Sequence, residues 1–340
     1  MDGILIADKK EELTSFDVVR DVRKEFNIKK VGHVGTLDPM ATGVLVVLIG
    51  KATKLSDYLM LHDKEYIAEL KLGIKTDTGD RTGNIIEQDK NFFLKKWCKT
   101  EYEKTYNEIK TNLKNENVQD ILCNSTIEKN VNENKEIGSN INNDESIAIM
   151  KILNSFIGEQ EQIPPMYSAI KVNGKKLYEL ARSNIEIERK PRKINIYNIE
   201  ILKINYDKNI ITFKVCCSKG TYIRTLCEDI ANKIGTIGTM NNLRRTRVGN
   251  FKIEEAGKFI EFENILKYIE REPLKISIND SKNYEKFLNG IELKRENYNI
   301  LCDEKEKSIS KEKLCNVYFE DKYLGIGKIK NQSLKRNIIL

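Results

Sequence analysis

Along the first seventy-odd residues, short apolar runs alternate with amphipathic stretches. Gly3 to Ala7 reads as a strand, and Thr14 or Ser15 can cap a helix in which Phe16, Val18, Val19, Val22 and Phe26 recur at helical spacing. Gly43 to Ile49 is an apolar run rich in β-branched residues, which predicts a buried strand. A helix through Leu55, Tyr58, Leu59 and Met60 is expected next. Tyr66, Ala68, Leu70 and Leu72 then alternate with Ile67, Glu69 and Lys71, the period of a strand with one core face.

Further along, Ser168 to Val172 leads into an Asn173-Gly174 turn, a hairpin signal, and Lys175 to Arg182 looks helical. Lys193 to Tyr206 and Ile210 to Cys217 read as long strands joined across Asp207 to Asn209, with a helix from about Tyr222 to Ile234. Helices mixed with antiparallel strands make the class α+β. A break near Arg271 to Ile278 sets off a β-rich end, residues 273–340, with a helix around Tyr284 to Leu288. Its strands include Val317 to Phe319 and Tyr323 to Ile329 around an Asp321-Lys322 turn. Residues 1–272 would then be the larger domain.

Composition changes this picture at one place. Residues 107–146 hold 11 Asn, 8 acids and 4 Lys, and read as a low-complexity, mobile surface insertion. With the chain at +7 and this stretch four charges negative, the other 300 residues carry +11. Between Ile230 and Ile253 lie Lys233, Arg244, Arg245, Arg247 and Lys252 with no acid, which suits a phosphate backbone or an ordinary solvated surface. The longest uncharged stretch, Pro39 to Gly50, is 12 residues, against the roughly 20 that span a bilayer. The N-terminus lacks the basic start and long apolar centre of a signal peptide, so a cytoplasmic, non-membrane protein is expected. The 7 cysteines form no C-x-x-C pair and the 2 histidines are His33 and His62, so nothing signals a disulfide framework or a metal site.

Two nucleotide signatures fail on spacing. Gly50-Lys51-Ala52-Thr53 resembles the end of a phosphate loop, but the glycine required five residues earlier is Leu45. The glycines around His33 do not fit a dinucleotide fingerprint either. The segment Gly32-His33-Val34-Gly35-Thr36-Leu37-Asp38-Pro39-Met40-Ala41-Thr42-Gly43 is more informative. Its three glycines permit unusual dihedrals or close ligand approach, and Pro39 restricts Asp38 to extended backbone at the mouth of an apolar strand. A catalytic carboxylate and an ordinary Asp-Pro turn both fit that pattern.

The block GHVGTLDPMATGVL, residues 32–45, resembles the catalytic-aspartate motif of the TruB family of tRNA pseudouridine-55 synthases. The resemblance continues in order through KEYIAELKLGIKTDTGDRTG (64–83), QIPPMYSAIKVNGKKLYELAR (162–182), CSKGTYIRTLCEDI (217–230) and LRRTRVGNF (243–251). It implies a pseudouridine synthase fold, with a mixed, largely antiparallel central sheet flanked by helices and a small C-terminal PUA-like module. Asp38 matches the catalytic aspartate, Tyr66 the active-site tyrosine and Arg224 the arginine that pairs with the aspartate. His33 and Lys9 match residues that serve substrate binding, while Tyr222 and Leu243 match positions near the pocket. Arg244, Arg245, Arg247, Lys252, Lys171, Lys175 and Lys176 are the candidate cradle for an RNA backbone. The family's D-K-P-x-G becomes Asp8-Lys9-Lys10-Glu11-Glu12, which should loosen or reshape the loop that positions Lys9.

The implied activity is isomerisation of a T-loop uridine of tRNA by base flipping. The enzyme would be a monomer acting without an obligatory protein partner and without a cofactor, since the reaction changes no oxidation state. A guide-dependent relative working inside a ribonucleoprotein, and an RNA-binding or tRNA-folding protein with secondary or lost catalysis, are the competing readings.

Overall fold

Why the Thr42–Ile49 strand is apolar at every position after Gly43 is visible in what covers it. Leu45, Val47 and Ile49 pack with Val19 and Val22 of the helix Ser15–Phe26. Val44, Val46 and Leu48 face a second cluster with Leu55, Leu59, Phe251 and Phe262. A strand buried on both faces has no use for alternation. It pairs antiparallel with Gly3–Lys9, from Gly3 opposite Ile49 to Lys9 opposite Gly43, and with Val31–Val34. The helix begins at a capping box in which Thr14 accepts from the Asp17 amide at 3.1 Å and Asp17 accepts from the Thr14 amide at 2.9 Å.

The computed structural model describes residues 1–112, 146–172, 174–183, 185–270, 273–301 and 312–340. Most of the Asn-rich stretch, and Asn173 of the expected hairpin turn, lie outside the described residues. The chain divides into one unit of Met1–His62 with Arg247–Leu340 and another of Asp63–Thr246.

The first unit also contains the β-rich end. Its five strands run in the order Tyr298–Ile300, Leu274–Ile278, Lys313–Phe319, Lys322–Lys330, Ser333–Ile339. Leu274–Ile278 and Lys313–Phe319 are parallel, the other neighbours antiparallel. The helix Ser281–Leu288, capped by Asp280, starts three residues before the expected Tyr284. Phe287 joins Leu274, Ile276, Val317 and Ile329 in a core of its own, while Leu314, Ile326 and Ile338 pack into the Val44–Leu48 cluster. The turn falls at Glu320 and Asp321, one residue earlier than expected, because Lys322 already pairs with Phe319.

In the second unit the neighbour order is Gly238–Val248, Lys64–Leu72, Ile210–Cys217, Arg192–Asn205, Gly158–Gln162. The alternation of Lys64–Leu72 is complete: Lys64, Tyr66, Ala68, Leu70 and Leu72 are buried and the residues between them half-buried. Tyr66 lies opposite Val215 and Lys64 opposite Cys217. The helix Ile223–Ile234 turns Ile223, Leu226, Cys227, Ile230 and Ile234 inward and ends on Gly235 in the left-handed conformation. The helix expected from Lys175 starts at Leu177, because Lys175 and Lys176 pair with Lys171 and Val172 in a short hairpin. The α+β class, with mixed, largely antiparallel sheets and flanking helices, is what the structure shows. Among the described residues no helix is long and apolar enough to cross a membrane.

Candidate active site

Asp38 belongs to the first unit and is gripped on both sides through its neighbours. Before it, the amide of buried Leu37 donates to Ser15 Oγ at 2.9 Å, and that hydroxyl donates back to the Leu37 carbonyl at 3.2 Å. After it, the Ala41 amide closes a turn onto the Asp38 carbonyl at 3.0 Å. The Pro39 carbonyl accepts from Lys9 Nζ at 3.1 Å and from the Glu12 amide at 2.9 Å. Asp38 itself is half-buried, so its carboxylate stands on a backbone fixed from three directions. Of the three glycines expected to supply unusual dihedrals, Gly35 and Gly43 do, at φ +71° and +106°. His33 is half-buried on the strand Val31–Val34, opposite Val47.

Lys9 is the centre of this grip. It is 1% exposed, and its ammonium also donates to the carbonyls of Lys10 at 2.9 Å and Leu13 at 2.7 Å. A side chain so enclosed holds the Pro39 turn and does not present its ammonium to the surface, where the substrate binding expected from the sequence would need it. The loop holds Lys9 without the proline and glycine of the family pattern. Glu12 takes φ +69°, the conformation a glycine would adopt with least strain, and the Lys9 bonds form regardless because they end on main-chain oxygens.

The second unit holds Tyr66, Arg224, Tyr222, Leu243, Arg244, Arg245 and Lys171. Arg224, 6% exposed, donates from Nη1 to the Thr78 carbonyl at 3.1 Å and from Nη2 to the Tyr167 carbonyl at 2.7 Å. The Thr78 loop is rigid in turn. Buried Asp80 accepts from the Thr82 amide at 2.9 Å, Thr82 Oγ1 at 2.6 Å and Thr78 Oγ1 at 3.1 Å. Gly79, at φ +74°, lies so close to the Arg224 helix that a Cβ there would be 2.7 Å from Glu228 Oε1 and 3.6 Å from Arg224 Cβ. Burial raises the pKa of the Glu228 carboxyl.

Tyr222 precedes the same helix, and one side chain holds both of its main-chain groups. Gln162, 4% exposed, accepts from the Tyr222 amide at 2.8 Å and donates to its carbonyl at 3.1 Å. Gln162, Thr78 and Tyr167 stand inside the blocks quoted above, yet nothing in their residue types announced these roles. Gln162 acts by its amide alone, and the other two by carbonyls that any residue would carry.

Tyr66 is 9% exposed and hydrogen-bonded to Arg245, which is 1% exposed. This corrects the basic cradle. Strand alternation sends neighbouring Arg244 and Arg245 to opposite faces, and Arg245 goes inside. Burial lowers its pKa, Tyr66 opposing, though a guanidinium keeps its charge. Lys64, two residues from Tyr66 on the same face, is pushed down to about 8, first by burial and then by the charge of Arg245. Leu243 is buried, Arg244 half-buried, and Lys171 and Lys175 are exposed on their hairpin. Lys176 of the same hairpin and Arg182 beyond it stand over the Tyr178 ring, at 5.3 and 5.5 Å. In the first unit Arg247 donates to the Gly249 carbonyl at 2.9 Å, and Lys252 is exposed. Among the described residues no group of three or more His, Cys, Asp or Glu is placed to hold a metal ion.

Comparison with known proteins agrees with the motif pattern. The profile described as the TruB family pseudouridylate synthase N-terminal domain matches residues 23–128 and 101–223, and the tRNA pseudouridylate synthase B C-terminal domain matches 224–282. The chain is 43% identical to tRNA pseudouridine synthase B of Clostridium kluyveri, covering 98% of each. It is 40% identical to the protein of that name from Clostridium tetani, again covering 98% of each. Among solved structures it resembles an H/ACA ribonucleoprotein bound to a substrate RNA containing 2′-deoxyuridine, with TM-score 0.56 and 20% identity over 99% of this chain and 83% of that one. That last likeness is one of fold.

Proposed function

The chain belongs to the TruB family of pseudouridylate synthases and makes pseudouridine in tRNA, and we propose that its target is the T-loop uridine at position 55, served by Asp38, Tyr66 and Arg224. The reaction breaks the bond from N1 to C1′, turns the base, and forms a bond from C5 to C1′. The C5 proton leaves and N1 takes one up, so atoms and oxidation state balance without a redox partner.

The observation that carries this reading is the grip on Asp38. A carboxylate working at the sugar, as nucleophile on C1′ or as base, needs fixed placement more than mobility. Ser15, Lys9 and Glu12 supply that from three sides. Arg224, oriented by the carbonyls of Thr78 and Tyr167, is the cation that would keep Asp38 ionised. Tyr66 would stack on the turned-out base and assist loss of the C5 proton. Tyr222, Leu243 and His33 would line the uridine's path. Lys9 would position the loop, and Lys171, Lys175 and Arg244 would meet the RNA backbone. In this reading the enzyme acts on bare tRNA as a monomer, without guide RNA or partner protein, and residues 273–340 form a small PUA-like RNA-binding module.

Tritium release from an unmodified tRNA transcript labelled at uridine C5 tests the reading. Wild type should release label from one T-loop uridine with no other macromolecule present. Asp38→Asn should release none while binding tRNA within roughly threefold of wild type. Substantial turnover by Asp38→Asn would remove Asp38 from the reaction.

A further inference from the structure

Arg245 heads the fully buried side chains of the described residues in size, and an enclosed guanidinium must find hydrogen-bond partners. The strand Gly238–Val248 neighbours Lys64–Leu72. Thr246 Oγ1 donates to Glu65 Oε1 at 2.8 Å, and Asn241 Nδ2 to Glu69 Oε2 at 2.7 Å. One partner number falls as the other rises, so the strands are antiparallel. These links occupy the half-buried face. One step along each strand from Thr246 and Glu65, Arg245 and Tyr66 are both buried, and Arg245 hydrogen-bonds the Tyr66 phenol. Burial first, and then the charge of the same guanidinium, lower the pKa of Lys64 two residues from Tyr66.

We infer that Arg245 is a positioning residue for Tyr66, fixing the phenol where it must meet the turned-out uridine; this rests on the reading of Tyr66 given above. A guanidinium has donors and no acceptor, so the Tyr66 oxygen accepts and its own hydrogen is left for a different partner. The bond also sets the ring's angle on its strand and puts a fixed positive charge beside the oxygen, where it favours negative charge developing there during proton removal. A purely structural role, in which Arg245 fills space and finds whatever acceptors lie near, makes no such demand on Tyr66.

The test uses the full chain carrying tyrosine labelled with carbon-13 at Cζ, with Tyr66 among the 14 tyrosines assigned by the resonance missing from Tyr66→Phe. In Arg245→Met the Tyr66 resonance should shift. In tritium release, kcat should fall roughly 10- to 100-fold with KM for tRNA within about threefold, the size expected for losing a hydrogen bond from a charged group at the reacting centre. Arg245→Lys should restore part of both. An unmoved Tyr66 resonance, or a loss confined to KM, would overturn the inference. If Arg245→Met does not fold, Arg245→Lys carries the test, with a resonance shift and a smaller fall in kcat, roughly 3- to 10-fold. A wild-type chain that released no tritium would refute the proposed reaction, while the resonance would still judge the link between Arg245 and Tyr66.

Discussion

Lys9 in the first unit and Arg245 in the second are both 1% exposed, yet the hydrogen bonds described for the two buried cations reach different kinds of group. Lys9 ends on the main-chain carbonyls of Lys10, Leu13 and Pro39, whereas Arg245 meets the side chain of Tyr66. Carbonyls are present whatever the residue, so the Lys9 loop tolerates Lys10 and Glu12 where the family pattern has proline and glycine. A phenol is supplied by one residue type. The Arg245 contact therefore ties two positions together, while the Lys9 contact ties one position to a backbone path.

Removing the two cations should separate these cases. Lys9→Met takes the Lys9 donor from the Lys10 and Leu13 carbonyls and one of two donors from the Pro39 carbonyl, which keeps only the Glu12 amide, and so loosens the Pro39 turn. We expect a loss of about 3 kcal/mol in urea unfolding, together with a fall in kcat, because Asp38 loses one of its holds. Lys9→Arg should not restore it, since a planar guanidinium does not fit three carbonyls arranged around an ammonium. A Lys9→Met protein as stable and active as wild type would mean that the Ser15 and Glu12 bonds suffice, and the contrast with Arg245 would collapse.

Lys64 sharpens the other side. It shares its face with Tyr66, and burial, then Arg245, lower its pKa from 10.5 to about 8. The folded state thus sheds a proton that the unfolded chain keeps between those two values. Stability contributed by this group is reduced below pH 8 and recovers as pH rises toward 10.5. The cost at neutral pH is on the order of 3 kcal/mol at most. Urea unfolding of wild type from pH 7.5 to 10.5 should show that rise against the Lys64→Met protein, in which it should be missing. Parallel curves would mean that Lys64 keeps its ordinary pKa and that the Arg245 charge is neutralised from elsewhere.

What the sequence disclosed follows the same division. The strand Lys64–Leu72 was legible because its period is written in residue types, and all five of its inward positions are buried. Asp38, Tyr66 and Arg224 were singled out by resemblance, in blocks long enough to carry it, and their roles are those proposed above. The inward turn of Arg245 was not, because a count of charges between Ile230 and Ile253 ignores the strand that deals Arg244 and Arg245 to opposite faces. Nor could the hold of Gln162 on both main-chain groups of Tyr222 be seen, since it joins residues 60 positions apart and, at Tyr222, ends on atoms that every residue carries.

The smallest effect we expect lies at Glu12, and it is the closest test of what a backbone-bound loop tolerates. At φ +69° a side chain costs about 1 kcal/mol or more relative to glycine, part of which the greater freedom of unfolded glycine offsets. Glu12→Gly should therefore stabilise the folded chain by about 0.5 kcal/mol, with kcat unchanged, because the Glu12 amide still reaches the Pro39 carbonyl. Glu12→Ala keeps the strain and should show no gain. A gain of equal size in both variants would trace the effect to the lost carboxylate, and the left-handed conformation of Glu12 would then carry no strain worth relieving.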